Sequence, residues 1–217
     1  MKFIDTHTHL YSDQFNEDRT LVVRNAIDVG VNTFLLPNIS SKYTKGMLDL
    51  CAEFPENCFP MMGLHPCDVT SENIAEELKH VEKELAKRKY IAVGEIGLDL
   101  YWDKSTLGIQ KEAFIKQIEL AKKYKLPIAI HVRDSFTEAI EIIEELNDKN
   151  LRGVFHCFTG SNEDAERVIN LGGFYLGIGG VLTFKNSGLD KTIVAIDLKH
   201  LILETDAPYL APTPFRG

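Results

Sequence analysis

At 217 residues, 44% hydrophobic and 26% charged, the chain has the composition of an ordinary globular protein, far from the disordered range. Its 24 lysines and arginines against 32 aspartates and glutamates give a net charge of −8, which excludes a protein that coats nucleic acid by bulk electrostatics and leaves local contact with nucleic acid open. No run of about 18 apolar residues and no basic-then-apolar leader is present, and Cys51, Cys58, Cys67 and Cys157 form no C-x-x-C pair, so reduced thiols, a cytoplasmic location and no membrane contact are expected.

In chain order, short β-rich runs at 2–9, 33–38, 58–65, 91–95, 127–131, 153–156, 174–177 and 201–206 alternate with segments of helical period at 15–29, 42–53, 71–89, 108–124, 135–147, 162–171 and 189–196. In 71–89 the apolar residues Ile74, Leu78, Val81 and Leu85 recur three or four apart, the stripe of a helix lying on a core. Strict alternation requires a parallel sheet, because a parallel pair needs a crossover and a helix supplies it. Eight repeats predict an α/β fold of one domain over 1–217, a single (β/α)8 TIM-type barrel. Such barrels run to about 250 residues. The sequence stops at Phe215-Arg216-Gly217 soon after the eighth strand, so the C-terminal closing helix is expected to be lacking.

Barrel enzymes carry their chemistry at the carboxyl ends of the strands. His7, His9, His65, His131 and His156 end apolar runs, whereas His80 lies in a helix and His200 precedes a strand. In Asp5-Thr6-His7-Thr8-His9 the period-two alternation of a strand sends both imidazoles to one side, where they can hold a divalent ion; alone this is a weak signal. Glu95 sits inside the apolar stretch Ile91 to Leu98 and needs a cation, a proton, or an ion pair with lysine or arginine. Asp99 is either a turn cap or an orienting group. Arg133, just after His131, suits a phosphate or carboxylate as well as it suits a surface partner. His156 and Cys157 alternate faces, with His156 the candidate ligand. Asp206 ends the eighth strand at the mouth, and Glu204, in phase one layer deeper, suits a partner of a ligand. Four histidines, Glu95 and Asp206 thus offer six donors, enough for two borderline ions such as zinc, manganese, iron or nickel sharing a carboxylate.

The motifs D-T-H-T-H at 5–9, G-L-H-P at 63–66, G-E-I-G-L-D at 94–99, I-H-V-R-D at 130–134, F-H-C-F at 155–158 and E-T-D-A-P-Y-L at 204–210 together closely resemble the TatD family of metal-dependent hydrolases, within the amidohydrolase-like barrels. The resemblance spans the chain. It implies that His7, His9 and Asp206 hold one divalent ion, that His131 and His156 hold another, and that Glu95 bridges them, the ions being magnesium, manganese or zinc. It also implies deoxyribonuclease activity on DNA. For metal-assisted phosphodiester hydrolysis Asp206 is the candidate general base, and Glu95 is expected to be needed for turnover and metal loading together. Candidate phosphate contacts are His65, Arg133 and Lys185. The Gly177–Gly180 glycines resemble the family's loop after strand seven. An acidic chain neutralises few phosphates, so exonuclease action on single strands or ends, by a monomer, is the expectation. An amide or acyl-ester hydrolase, including aminoacyl ester cleavage, and a non-catalytic metal-dependent binding module are the alternatives.

Overall fold

A computed structural model describes residues 1–216; residue 217 of the expected span lies outside the described residues. Its elements follow in order: β1 (Phe3–Asp5), α1 (Arg19–Asp28), β2 (Val31–Leu36), α2 (Ser41–Glu53), β3 (Cys58–Pro60), α3 (Ile74–Lys87), β4 (Val93–Asp99), α4 (Leu107–Tyr124), β5 (Ile128–Arg133), α5 (Phe136–Leu146), β6 (Gly153–Phe155), α6 (Asn162–Asn170), β7 (Phe174–Ile178), α7 (Leu189–Val194) and β8 (Leu201–Leu203). Every strand pair is parallel, with β1-β2-β3 in one ladder and β4 to β8 in sequence order in another. The ladders join at both seams. At one, Met62 bridges Val93 and the Gly94 N–H donates to the Met62 carbonyl at 3.0 Å. At the other, the Thr6 N–H donates to Leu203 at 3.1 Å and the Asp206 N–H to His7 at 2.9 Å. The sheet is therefore the expected barrel.

Alternation along the strands sorts their side chains into two apolar layers. Phe34, Leu36, Ile128, Ile130 and Phe155 face outward and pack with Met47, Leu50, Phe114, Ile118, Ile140 and Ile143 of the helices. Leu35, Met61, Ala92, Ala129 and Val154 face inward and fill the barrel below the mouth. The stripe on α3 behaves as read, with Ile74, Val81 and Leu85 buried and Leu78 packed against the core.

Boundaries differ from the sequence reading where side chains hold the backbone. Helix α1 begins at Arg19 rather than near residue 15, because its guanidinium donates to the carbonyls of Leu10 at 3.0 Å, Tyr11 at 2.8 Å and Ser12 at 3.0 Å and so pins the preceding loop. Strand β4 runs on to Asp99, whereas β1, β3, β6 and β8 stop before the polar residues expected to end them. Among the described residues no helix follows β8, and Leu203 and Ile4 are 59% and 53% exposed. No helix among them is long and apolar enough to cross a membrane.

Candidate metal centre

Glu95 organises the mouth of the barrel. It is 2% exposed, and five imidazoles approach its carboxylate: His131 at 2.9 Å, His7 at 3.2 Å, His65 at 3.4 Å, His9 at 3.5 Å and His156 at 3.6 Å. No lysine or arginine among the described residues pairs with it, so the ion-pair explanation of its burial is excluded. Asp206 closes the ring, its Oδ1 3.5 Å from His9 Nε2 and 3.9 Å from both His7 Nε2 and His156 Nε2.

The route by which these groups converge corrects the alternation argument. Only Glu95 and His131 lie within strands. His7 and His9 stand beyond the end of β1, where the chain bends, and their common direction owes to anchoring on both sides: the Thr8 N–H donates to Leu35 at 3.2 Å and the His9 N–H to Ala207 at 2.7 Å. Asp206 lies three residues past β8 at φ +58°, a left-handed conformation that aspartate tolerates better than most residues. Gly97 of β4 has no room for a side chain, since a Cβ there would stand 2.0 Å from the His131 carbonyl oxygen at φ +144°; this close approach seats β5 and His131 against β4.

His9, His131 and His65 are each oriented through a hydrogen bond at the other nitrogen. The Tyr11 hydroxyl donates to the Pro37 carbonyl and therefore accepts, at 3.0 Å, from His9 Nδ1–H, which in the neutral ring leaves the His9 Nε2 lone pair facing Glu95 and Asp206. His131 faces Glu95 through Nδ1 and Asp99 Oδ2 through Nε2, both at 2.9 Å, a carboxylate–histidine arrangement typical of metal ligands. His156 Nδ1 lies 3.1 Å from Glu204 Oε1, an ion-pair distance without hydrogen-bond alignment, while Glu204 accepts from the Cys157 N–H. His65 is the opposite case to His9. Its Nδ1 accepts from the Cys67 N–H at 3.1 Å, so in the neutral ring the proton sits on Nε2, aimed at Glu95. By distance alone His65, Glu95 and His131 can hold an ion, as can His7, His9 and Glu95, or His7, His156 and Asp206. The tautomer argues against His65 as a ligand.

The electrostatics follow. Burial alone raises Glu95, yet His65, His7, His156 and His131 hold it well below the usual carboxylate range. Burial lowers His9, and its contacts with Asp206 and Glu95 reverse this and carry it to about 9. For His156 burial is likewise outweighed, by Glu204, Glu95 and Asp206, which bring it to about 10. His7 is pushed down by burial and by His156, whose ring stacks on its own at 3.5 Å. Burial raises Asp99, but its bond to His131 takes it to about 2. Of the four buried side-chain polar atoms that lack a hydrogen-bond partner among the described residues, three, His7 Nδ1, His156 Nδ1 and Glu204 Oε2, belong to this cluster. A buried carboxylate ringed by imidazoles, with lone pairs aimed inward and polar atoms left unpaired, fits divalent cations.

Several supporting residues escape a reading by motif. Asn38, fully buried at the end of β2, donates to the carbonyls of Gly63 at 2.9 Å and Ser40 at 3.1 Å, and its own carbonyl accepts from the Glu95 N–H at 3.0 Å. Gln117 and Gln110, seven apart on the buried face of α4, each clamp a backbone amide. Gln117 takes the N–H and C=O of Leu64 at 2.7 and 3.1 Å, and Gln110 those of Asp99 at 2.8 and 2.9 Å. Two glutamines within an apolar stripe are the signal that finds them. Asp5 is buried and raised to about 6 by burial, against its bonds from Thr205 and the His7 N–H; it ties β1 to the β8 loop. Arg133 is exposed, with its guanidinium over the Tyr101 ring. Lys185 is exposed in the loop before α7, and no hydrogen bond or ion pair draws it to the cluster.

A parallel barrel with a histidine and carboxylate cluster at its mouth defines the metal-dependent hydrolase class. The profile of the TatD-related DNase family matches residues 4–217, and the chain belongs to that family. It is 37% identical over 214 residues to the metal-dependent hydrolase YabD of Bacillus subtilis, covering 98% of this chain and 83% of that protein. It is 33% identical over 210 residues to the 3'-5' ssDNA/RNA exonuclease TatD of Escherichia coli, covering 96% and 80%. The crystal structure of the TatD homologue YjjV from Escherichia coli superposes with a TM-score of 0.90 at 32% identity, covering 99% of this chain and 83% of that one. The protein is a metal-dependent hydrolase acting on ester bonds.

Proposed function

We propose that the chain, residues 1–217 acting as one catalytic unit, hydrolyses phosphodiester bonds of single-stranded DNA from a free end with two divalent ions, magnesium, manganese or zinc. The observation that carries this reading is the ring of imidazoles and Asp206 around the buried Glu95. In it, His7, His9 and Asp206 would hold one ion and His131 and His156 the other, with Glu95 available to both. Bound there, such ions supply a water of lowered pKa and neutralise charge on the phosphate undergoing in-line displacement.

The chain's own groups do the rest. Asp206 is the proton acceptor for the attacking water, since its side chain is 13% exposed where that of Glu95 is 2% exposed. His65 Nε2–H donates to a phosphate oxygen, and the free edge of Arg133 does the same from the rim. Asp99 and Glu204 hold His131 and His156 in place from behind. The exonuclease named among the relatives acts 3'-5' on ssDNA and RNA, which supports a 3′ end as the point of attack.

The test follows an end-labelled single-stranded oligonucleotide with protein reloaded with magnesium or manganese, beside Glu95→Ala. Stepwise shortening from one end, absent in the variant together with metal loading, is expected. No cleavage by protein carrying two ions, or full activity in the variant, refutes the reading.

A further inference from the structure

We propose that Tyr101, Trp102 and Arg133 form a stacking subsite for an unpaired nucleobase at the rim of the barrel mouth, so that the strand is held by a base as well as by its phosphates. This rests on the phosphodiesterase reading above. The three residues leave the sheet side by side: Asp99 and Arg133 are register partners of β4 and β5, and Tyr101 and Trp102 come two and three residues after Asp99. The Tyr101 N–H donates to Asp99 Oδ1 at 3.0 Å, while the other oxygen of that carboxylate holds His131 at 2.9 Å. One carboxylate therefore separates the aromatic pair from an imidazole of the cluster.

Packing does not account for these rings. Trp102 is 74% exposed and Tyr101 53% exposed, and neither belongs to the apolar core. They meet edge to face, with centroids 4.9 Å apart at 89°, and the Arg133 guanidinium lies 3.6 Å above the Tyr101 ring and 5.6 Å from that of Trp102. The contact places the guanidinium against the rings, and no hydrogen bond or ion pair among the described residues occupies its N–H groups. An exposed aromatic face beside unpaired cationic donors matches a nucleotide, whose base offers a π-face and whose phosphate accepts. Two residues are too small a patch for a protein interface, which needs about 800 Å² on each side. A paired base hides its faces in the helix stack, so the occupant is a base of a single strand. In a chain of net charge −8, this local grip holds a strand at the mouth without attracting it to the rest of the surface.

Trp102 is the chain's single tryptophan, so its emission reports this subsite alone. The experiment titrates the full chain with a hydrolysis-resistant phosphorothioate oligothymidylate and with an abasic strand of equal length, reading emission and, for a labelled strand, anisotropy. Base-dependent quenching is expected, with binding about 5- to 150-fold tighter for the base-bearing strand. Trp102→Ala removes that discrimination and Trp102→Phe restores most of it; circular dichroism checks that both fold. Equal quenching by the abasic strand, or discrimination retained in Trp102→Ala, overturns the subsite. Wild-type hydrolysis of an ordinary oligonucleotide is scored in parallel. Cleavage without base-dependent quenching sinks the subsite alone, quenching without cleavage sinks the phosphodiesterase reading alone, and neither signal sinks both.

Discussion

Glu204→Gln removes a charge from behind His156 while keeping the shape of the side chain. Glu204 is 7% exposed, its Oε1 accepts from the Cys157 N–H, and it stands 3.1 Å from His156 Nδ1. Two full charges at that separation attract by about 5 kcal/mol at an effective dielectric of about 20. A metal-bound imidazole carries only part of that charge, so the expected loss is the smaller one usual for residues supporting a metal ligand, about 10- to 100-fold in metal affinity, or about 1.4–2.8 kcal/mol. Gly177→Ala is the independent control. A Cβ at that position would lie 2.4 Å from Glu204 Oε2, so the methyl group displaces the carboxylate from below and should reproduce the loss without touching a ligand. Affinity is read by competition with a chromophoric chelator, and thermal melts show whether each variant is folded. Wild-type metal affinity in Glu204→Gln refutes the reasoning.

The remaining expectations test other links. His65→Ala should keep two ions bound while kcat/KM falls, because the Nε2 of His65 carries a proton; loss of an ion measured by elemental analysis contradicts the tautomer argument. Gln117→Ala strands the buried N–H and C=O of Leu64 and should lower the melting temperature by roughly 4–8 °C, with an unchanged melt showing that the clamp is dispensable. His9 and His156, raised to about 9 and about 10, are protonated at neutral pH before metal enters, so a cation must displace their protons. Apparent metal affinity should therefore climb between pH 6 and 8, by about tenfold per unit for each proton released, and calorimetry in buffers of different ionisation enthalpy counts those protons. Affinity that stays flat over that range contradicts the assigned protonation.

The fold was legible because periodicity is a local signal. A stripe such as Ile74, Val81 and Leu85 is written in the spacing itself, and eight β-rich runs separated by helical ones leave a parallel barrel as the economical closure. Boundaries were less legible because side chains reaching from elsewhere decide them. Arg19 fixes three carbonyls upstream of α1, and β1 ends at Asp5 because that carboxylate is engaged by Thr205, 200 residues away. The convergence of His7 with His9 was therefore anticipated for a reason that does not hold, since neither lies in a strand. Gln110 and Gln117 are illegible for a related cause: a glutamine within an apolar stripe looks like a tolerated exception until the backbone amide it clamps is known.

The same distinction governs the chemistry of the site. A histidine in a sequence is a nitrogen of undetermined use, and whether it offers a lone pair or a proton depends on what its second nitrogen meets. His9 and His65 lie 3.5 Å and 3.4 Å from the same carboxylate and would be grouped together by distance. Tyr11, whose own proton is committed to the Pro37 carbonyl, makes His9 a lone-pair donor toward the cluster; the Cys67 amide makes His65 a proton donor there. Both deciding partners sit two residues along the chain from the histidine they orient, yet neither is a polar motif residue, and their effect exists only once the backbone has turned. The division of labour around Glu95, cation binding on one side and phosphate recognition on the other, is thus set less by the histidines than by a tyrosine hydroxyl and a main-chain N–H.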